Sequence, residues 1–313
     1  MTNLSEFTFL SSDGKTQLHG MLWEPEGVAV RAVLQICHGV AEHIARYDGF
    51  ARALNEQGIV MAGHDHLGHG KSLPEGGTPV YFGDGNTWNT VVDDIYILHQ
   101  RLKQRYPDVP LCIMGHSMGS FLTRTYLIRY PGTVKAAVIM GTGWQPRAAI
   151  TGGLALANAI AAVSGENATS ELVTELAFGS YNKLFAPNRT KVDWLSADES
   201  NVDDYIADPL CGADATVGLF RQMLHGIRFN QRQSHLRQMD REMPVLFVAG
   251  DKDPVGNCGK GVRQTYDAFR AAGMRDCTLK LYPGLRHEIL NEKAYTADIT
   301  KNIEAWLLSR LEK

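Results

Sequence analysis

The segment Gly115–Gly119, GHSMG, has the G-x-S-x-G pattern of a serine held on a sharp turn between a strand and a helix. An apolar run, Leu111–Met114, comes directly before it, and a helical pattern follows. Glycines at both ends leave room for the tight turn and for a strained serine backbone. This setting predicts that Ser117 is a nucleophile for acyl transfer; an exposed serine in a glycine-rich turn is the alternative.

A serine hydroxyl is a weak nucleophile at neutral pH and needs a base to take its proton. In folds that use this motif, the chain order is serine, then acid, then histidine. Asp253 and His287 follow Ser117 in that order, each in a loop after an apolar strand pattern. Such loops meet at one edge of a parallel sheet, where open α/β sheets build their sites. We therefore predict a triad with His287 as general base and Asp253 as its carboxylate; Asp251, which directly follows the strand pattern, is the weaker candidate.

The negative charge that develops on a substrate carbonyl during acyl transfer requires two fixed N–H donors. One donor is the residue after the nucleophile, here Met118, and the other comes from the loop after the third strand. That loop is His38-Gly39-Val40, directly after the run that ends at Cys37. We predict that the Val40 amide is the second donor and that His38 and Gly39 form the supporting loop.

Three histidines crowd the segment His64–His69, which makes a metal site an obvious alternative. The H-x-H-x-D-H pattern of metallohydrolases needs aspartate and histidine side by side at its end, whereas Gly68 precedes His69 here. Hydrogen-bonded loop histidines explain the segment better. The run Gly256–Gly261 resembles a phosphate-binding loop but lacks its spacing and the Ser or Thr after Lys260. The sequence therefore predicts neither a metal ion nor a cofactor.

The elements that must position these residues alternate between strand and helix patterns, which specifies an α/β fold with a mostly parallel central sheet and helices on both faces. Two short runs around Ser11–Lys15 predict an antiparallel hairpin at the start. The other strand patterns are continuous apolar runs, as expected of strands buried on both faces: Ala32–Cys37, Ile59–Ala62, Leu111–Gly115, Lys135–Gly141, Pro244–Gly250 and Thr278–Tyr282. The predicted helices are Tyr47–Gln57, Thr87–Tyr106, one from the serine motif to Tyr130, Gly261–Ala272 and Tyr295–Leu311.

A long break, Thr142–Arg241, mixes helical patterns with loops and contains no convincing buried strand pattern. Further strand–helix units follow it, so an insertion fits better than a second domain in tandem. We predict an α/β core formed by residues 1–143 and 240–313, and a helical cap formed by residues 144–239. Part of the first cap segment is expected to line the route to Ser117 and the rest to pack on the core; its apolar residues are Ile150, Leu154, Leu156, Ala157, Ile160, Ala161 and Val163.

Three segments together resemble a known family: HGVAEHIARY at 38–47, DHLGHGKS at 65–72 and GHSMG at 115–119. Their order is similar to that in the monoacylglycerol lipases and bacterial lysophospholipase-like serine hydrolases of the α/β-hydrolase superfamily. The resemblance covers nearly the whole chain outside the cap. It implies an α/β-hydrolase fold with an inserted cap or lid, a structural role for Gly68-His69-Gly70, and Asp253 as the acid.

The resemblance and the apolar cap together predict a serine carboxylic-ester hydrolase that acts through an acyl-enzyme on monoacyl lipid esters of the monoacylglycerol or lysophospholipid type. An aminoacyl-peptidase is the nearest alternative, since acyl transfer from an amide uses the same triad. It needs an acidic patch for a substrate amino terminus, which these cap residues could supply: Asp193, Asp198, Glu199, Asp203 and Asp204. A small-ester carboxylesterase and a catalytically inactive binding module on the same fold are further alternatives.

The composition of the chain excludes several classes of partner. The 313 residues carry a formal charge of −3, so no nucleic acid is expected, and the expected partner is a small acyl ester. No basic segment followed by an apolar run opens the chain, and the apolar stretch Ala148–Val163 falls short of the ~20 residues of a membrane span. We expect a cytoplasmic protein with at most transient membrane-surface or micelle contact through the cap. Five scattered cysteines without C-x-x-C spacing predict free thiols.

Overall fold

The apolar runs of the sequence form an eight-stranded sheet at the centre of the computed structural model, which describes residues 1–311 except for the side chain of Leu176. The strands are β1 Thr2–Leu10, β2 Gln17–Pro25, β3 Ala32–Cys37, β4 Ile59–His64, β5 Leu111–His116, β6 Ala137–Met140, β7 Val245–Gly250 and β8 Cys277–Tyr282. Their order in the sheet is β1-β2-β4-β3-β5-β6-β7-β8. The pairs β1–β2 and β2–β4 are antiparallel, and the remaining pairs are parallel. The predicted mostly parallel α/β fold is confirmed.

Helices follow most of the strands. They are α1 Asp48–Asn55, α2 Thr87–Arg105, α3 Met118–Arg129, α4 Arg147–Ser164, α5 Glu171–Thr174, α6 Ser180–Lys183, α7 Glu199–Ala207, α8 Val217–Asn230, α9 Gln233–Leu236, α10 Lys260–Ala271 and α11 Thr296–Leu311. A π-helical turn, Glu175–Gly179, joins α5 to α6. The predicted apolar face of α2 is buried, as expected for a helix that covers a sheet; its residues are Val91, Ile95, Leu98 and Leu102.

Two hydrophobic clusters lie on opposite faces of the sheet. Successive side chains of a strand point to opposite faces, so Phe247 of β7 belongs to one cluster and Val248 to the other. Helices α2, α3 and α10 contribute to the first cluster, and α1 and α11 contribute to the second. Because helices cover both faces of the sheet, the sequence of the parallel strands is continuously apolar rather than alternating.

Several element boundaries differ from the sequence-based expectation by one or two residues, and two of these differences lie at turns. The predicted strand 135–141 is observed only over Ala137–Met140; at its carboxyl end Gly141 adopts a positive φ of 59° and turns the chain away. The predicted first helix begins one residue later, at Asp48, after a 3-10 turn over Ile44–Tyr47. Neither difference moves the loops at the carboxyl ends of the strands, which carry the candidate site.

The connection from β6 to β7 is long and helical. It holds α4 to α9, and the only strand-like pairing among its described residues is an isolated bridge between Thr169 and Thr216. Helix α8 contacts both α2 and α3 of the sheet domain. The contact with α2 is close: a Cβ atom on Gly226 would lie 2.1 Å from the ring of Trp88. We propose that residues 144–239 form a cap, which α8 anchors to the core.

Helix α4 is unusually apolar for a helix that is so exposed. Among the described residues it alone has the length and composition of a membrane span, with 18 residues and a mean hydropathy of 1.3. Its length lies near the lower end of the range that crosses a bilayer. Only 17% of the helix is buried, and Val163 is 87% exposed. A core helix would be mostly buried, so α4 presents apolar surface to the outside of the molecule.

Candidate active site

Ser117 lies on the sharp turn between β5 and α3. Its backbone has φ 54° and ψ −123°, in a region that non-glycine residues rarely adopt, and the neighbouring glycines explain how the turn can form. A Cβ atom on Gly115 would lie 2.2 Å from the Gly119 carbonyl oxygen, and one on Gly119 would lie 2.0 Å from the Cys37 carbonyl oxygen. The turn therefore needs both glycines, and it presents the serine side chain at the carboxyl edge of the sheet.

The structure brings the predicted acid and base together in the loops after β7 and β8. Oδ1 of Asp253 lies 3.0 Å from Nδ1 of His287, and the two side chains are 0% and 2% exposed. The same oxygen accepts a hydrogen bond of 2.9 Å from the backbone N–H of Val255, which orients the carboxylate. Nε2 of His287 has no hydrogen-bond partner in residues 1–311, and this residue borders a cavity together with Ser117. This nitrogen can therefore take a proton from a hydroxyl group.

Two aromatic rings hold the His287 imidazole in place. The ring centroid of Trp194 lies 5.1 Å from that of His287, and the ring centroid of His116 lies 4.7 Å from it. Trp194 belongs to the inserted segment, so the connection between β6 and β7 contributes directly to the site. The sequence carried no signal for this contact, because nothing in the local pattern around Trp194 indicates which core residue it meets.

The loop after β3 packs directly over Ser117. A Cβ atom on Gly39 would lie 3.1 Å from Cβ of Ser117, which shows how close the loop backbone comes. Val40 and Met118 border the same cavity as Ser117, as expected of the two predicted oxyanion donors. His38 supports the loop from behind, since its Nε2 accepts a hydrogen bond of 2.9 Å from the His66 backbone N–H.

Glu42 fixes this loop from inside the protein. Its Oε1 accepts hydrogen bonds from the Gly39 N–H at 2.5 Å and from the Tyr47 hydroxyl at 2.9 Å. Burial favours the neutral acid, but hydrogen bonding to His116 and the charge of Arg46 hold the pKa of Glu42 well below its usual range. A permanently ionised Glu42 keeps the Gly39 amide occupied, and the neighbouring Val40 amide is then left for a substrate.

Four buried histidines lie behind the loop, at positions 38, 64, 66 and 69. Ring centroids are 4.2 Å apart for His38 and His66, and 5.0 Å apart for His64 and His66. Burial lowers the pKa of His64 and of His69 to about 3, and it lowers the pKa of the other two as well. All four imidazoles are therefore neutral at pH 7 and pack as part of the protein interior.

Acid should destabilise this protein steeply below about pH 6.5, the pKa of histidine in an unfolded chain. Below that pH the histidines of the unfolded chain bind protons, whereas the four buried imidazoles of the folded state stay neutral. Each of these four histidines therefore lowers the free energy of unfolding by up to ~1.4 kcal/mol per pH unit. Asp94 offsets part of this loss, because burial raises its pKa to about 6 and the folded state takes up that proton. The measurement is the melting temperature from pH 7.5 to 4.5.

A variant and a matched control isolate the histidine contribution. The ring nitrogens of His64 have no hydrogen-bond partner in the described residues. His64→Leu can therefore remove the imidazole without leaving a buried polar group without its hydrogen bond. This variant should make the acid slope shallower. His235→Gln, at a half-buried position outside the cluster, should leave the slope unchanged. A wild-type melting temperature that stays constant down to pH 5 would contradict the prediction.

Two cavities of different character flank Ser117. The larger has a volume of about 450 Å³ and is lined mostly by apolar side chains of the inserted segment; among them are Ile150, Leu156, Ala157, Phe178, Phe220 and Leu224. The smaller, of about 260 Å³, lies on the side of His287, and unlike the larger one it has charged side chains among its lining residues: Glu42, Lys191, Asp214 and Glu288. Of the apolar residues predicted to line the route to Ser117, Ile150, Leu156 and Ala157 do so, whereas Val163 points into solvent.

A mostly parallel sheet, a serine on a strained strand-to-helix turn and an Asp–His pair after the last two strands together define a serine hydrolase of the α/β-hydrolase class. Residues 28–294 match the Hydrolase_4 family, described as serine aminopeptidase, S33. The chain belongs to this family, and within it to the monoglyceride lipase-like proteins, as the sequence motifs predicted.

Similar proteins cover nearly the whole chain. The monoacylglycerol lipase of Mycolicibacterium smegmatis is 30% identical over 312 residues, which make up 98% of each chain. The mouse monoglyceride lipase is 28% identical over 96% of this chain and 90% of its own. The crystal structure of a highly thermostable carboxyl esterase from Bacillus coagulans in complex with glycerol superposes with a TM-score of 0.92 at 26% identity, covering 99% of this chain and 100% of that one.

Proposed function

We propose that this protein hydrolyses the carboxylic esters of monoacyl lipids, such as monoacylglycerols or lysophospholipids, through an acyl-enzyme on Ser117. The observation that carries the proposal is the cavity of about 450 Å³ that borders Ser117 and has no charged lining residue, beside a smaller one whose lining includes charged side chains. A single acyl chain fits the first cavity, and the hydrophilic alcohol of a monoacyl ester fits the second. An ester with two or three chains would have to place a second chain in the smaller cavity, beside its charged side chains.

In the proposed mechanism, Oγ of Ser117 attacks the ester carbonyl carbon while Nε2 of His287 takes the hydroxyl proton. Asp253 faces Nδ1 of the same ring and stabilises the imidazolium that forms. The backbone amides of Val40 and Met118 bind the oxyanion of the tetrahedral intermediate. When this intermediate collapses, the alcohol leaves with the proton from His287 and the acyl group stays on Ser117.

Water completes the reaction. His287 takes a proton from the water as the water attacks the acyl carbon, and the second tetrahedral intermediate again uses the two amides. Its collapse returns the proton to Ser117 Oγ and releases the fatty acid. The cycle consumes one ester and one water and leaves the enzyme unchanged.

The inserted segment supports lipid substrates in particular. We propose that the core consists of residues 1–143 and 240–313, and that the cap, residues 144–239, covers the acyl cavity. The first cap helix, α4, borders the cavity through Ala149 and Leu156 and exposes apolar side chains such as Val163. This arrangement favours transient contact of α4 with a micelle or membrane surface, from which one lipid enters the cavity.

The similar proteins support the same substrate class. Those from Mycolicibacterium smegmatis and mouse are a monoacylglycerol lipase and a monoglyceride lipase. The Bacillus coagulans carboxyl esterase was crystallised with glycerol, which is the alcohol of a monoacylglycerol. These names favour an ester of glycerol as the substrate of the present protein.

An aminopeptidase activity remains the second candidate, because the family carries that description. The five cap acids considered for the patch that a peptidase would need do not lie at the site: none of them lines either cavity beside Ser117. Asp193 binds the backbone N–H groups of Arg189 and Thr190, Asp198 caps α7, and Asp203 pairs with Arg189. These five residues therefore offer no carboxylate to a substrate amino terminus; the cap acid that does line the smaller cavity is Asp214.

The kcat/KM for p-nitrophenyl esters should rise with acyl chain length until the cavity is full. Each buried methylene contributes up to ~0.8 kcal/mol, so each added carbon should raise kcat/KM by up to about fourfold. The measurement is a series from acetate to palmitate, with monoolein, triolein and an alanine arylamide alongside. Monoolein should be the preferred natural ester. A flat or falling series would indicate a small-ester esterase, and faster arylamide cleavage would indicate a peptidase.

Two tryptophan variants on α4 test whether the cavity holds the acyl chain. Ala149 borders the cavity, so Ala149→Trp should lower kcat/KM for long esters more than for acetate. Ala155 is exposed on the same helix and does not line the cavity, so Ala155→Trp is the matched control and should leave the ratio unchanged. Equal effects of the two variants on the long and short esters would show that chain binding occurs elsewhere.

A further inference from the structure

Three residues with metal-binding side chains meet where the loop after β3 contacts the cap. Nε2 of His43 lies 2.8 Å from Oδ2 of Asp208, and the ligand atoms of His43, Asp208 and Cys211 all lie within 4.8 Å of one another. His43 is buried, and the other two are half-buried. We propose that these three side chains bind one Zn²⁺ ion.

The three ligand types favour zinc over the harder cations. Imidazole nitrogen, thiolate sulfur and carboxylate oxygen are the ligands that Zn²⁺ takes in proteins, whereas Mg²⁺ and Ca²⁺ prefer oxygen alone. Zinc–ligand bonds of ~2.0–2.3 Å in a tetrahedron place the ligand atoms ~3.3–3.6 Å apart. The ligand atoms of the three side chains lie within 4.8 Å of one another, so side-chain rotations can bring them to this spacing. Because Asp208 and Cys211 are half-buried, water can supply the fourth ligand.

The surrounding charges suit a divalent cation. Arg46 is a cation whose charge acts on both Asp208 and Cys211, and its guanidinium is paired with both Glu42 at 2.8 Å and Glu288 at 2.7 Å. These three groups together carry a net negative charge, to which the Asp208 carboxylate adds another. Asp208 is held in position because its Oδ1 accepts a hydrogen bond of 2.9 Å from the Leu210 N–H. A zinc ion would therefore enter a region where negative charge exceeds positive charge.

The proposed ion joins the core to the cap and takes no part in the ester chemistry. His43 follows the loop that carries Val40, whereas Asp208 and Cys211 follow α7 in the cap. The two segments already touch, since the Gly212 N–H donates to the Ala41 carbonyl at 2.9 Å. None of the three ligands lines either cavity beside Ser117. A zinc ion at this position would link the cap to the loop that carries Val40.

Zinc binding can be measured directly on the full chain after treatment with a chelator. Calorimetric titration with Zn²⁺ should give one ion per chain, and Co²⁺ in its place should show a thiolate-to-cobalt charge-transfer band. His43→Ala and Cys211→Ser should each weaken binding by at least the ~10–100-fold that loss of a supporting partner costs at metal sites. Cys258→Ser removes an exposed cysteine and is the matched control; it should bind zinc like the wild type.

The outcomes separate this proposal from the ester hydrolase. Absence of zinc binding by the wild type overturns it, as does wild-type affinity in Cys211→Ser or loss of binding in Cys258→Ser. The charge-transfer band is read on the wild type, so it tests thiolate ligation even if a variant does not fold. Neither measurement uses ester turnover, so the absence of zinc binding would not contradict the proposed ester hydrolysis.

Discussion

Replacing Ser117 by alanine should leave a folded protein whose ester hydrolysis is about 10⁴–10⁶-fold slower than that of the wild type. The expected loss is large because the triad acts as a unit: without the hydroxyl there is no acyl-enzyme, and His287 has no proton to transfer. The fold should persist, since alanine can take the place of serine on the turn at the cost of one hydroxyl group. Turnover of a medium-chain p-nitrophenyl ester and a thermal melt measure the two effects.

Ser180 offers a matched control, because it is a second serine that lines the same cavity. Ser180→Ala should change turnover by only a few fold. A fluorophosphonate probe should label the wild type and Ser180→Ala but not Ser117→Ala, which also excludes a catalytically inactive binding module. If Ser117→Ala keeps more than about a tenth of wild-type activity, Ser117 is not the nucleophile.

Asp253→Asn should slow turnover by roughly 10³–10⁴-fold. The carboxylate of Asp253 faces Nδ1 of His287 at 3.0 Å, and it favours the tautomer whose Nε2 is free to accept a proton. An asparagine amide at the same place can donate to Nδ1 and stabilise the opposite tautomer. The variant should fold, because the amide is nearly the same size as the carboxylate. Steady-state kinetics on the same ester measure the loss.

Asp251→Asn is the comparison that decides between the two aspartates after β7. Asp251 is half-exposed, and its Oδ1 accepts a hydrogen bond of 2.8 Å from the Gly284 N–H, so it supports the turn after β8 rather than the histidine. An asparagine oxygen can accept the same bond, and turnover should change little. A larger loss for Asp251→Asn than for Asp253→Asn would reverse the assignment of the acid.

The parts of the site that lie next to strands could be predicted from the sequence. Buried parallel strands are continuous apolar runs, and their carboxyl ends share one edge, so Ser117, Asp253 and His287 could be placed near one another before any contact was known. The loop at His38–Val40 follows from the same argument. Each of these inferences needs only local patterns and the direction of the strands.

Contacts between distant side chains could not be predicted in this way. Arg46 pairs with Glu288 across 242 residues, and His43 meets Asp208 across 165 residues. Hydrophobic periodicity reports which face of an element is buried, but it does not say which element covers that face. For the same reason the sequence indicated an apolar first cap helix but not that Leu156 would line the cavity while Val163 stays in solvent.

The long connection between β6 and β7 has a consequence for chain entropy. The two strands are hydrogen-bonded neighbours, with Ala137 opposite Val245, although roughly one hundred residues separate them. The entropy cost of closing a loop grows only with the logarithm of its length, by ~0.6 kcal/mol for each doubling. Residues inserted into an exposed part of this connection should therefore add little to the entropy cost of pairing the two strands. Pairing of β6 with β7 should be slow during folding, because the two ends of this long connection must come together before the strands can form hydrogen bonds.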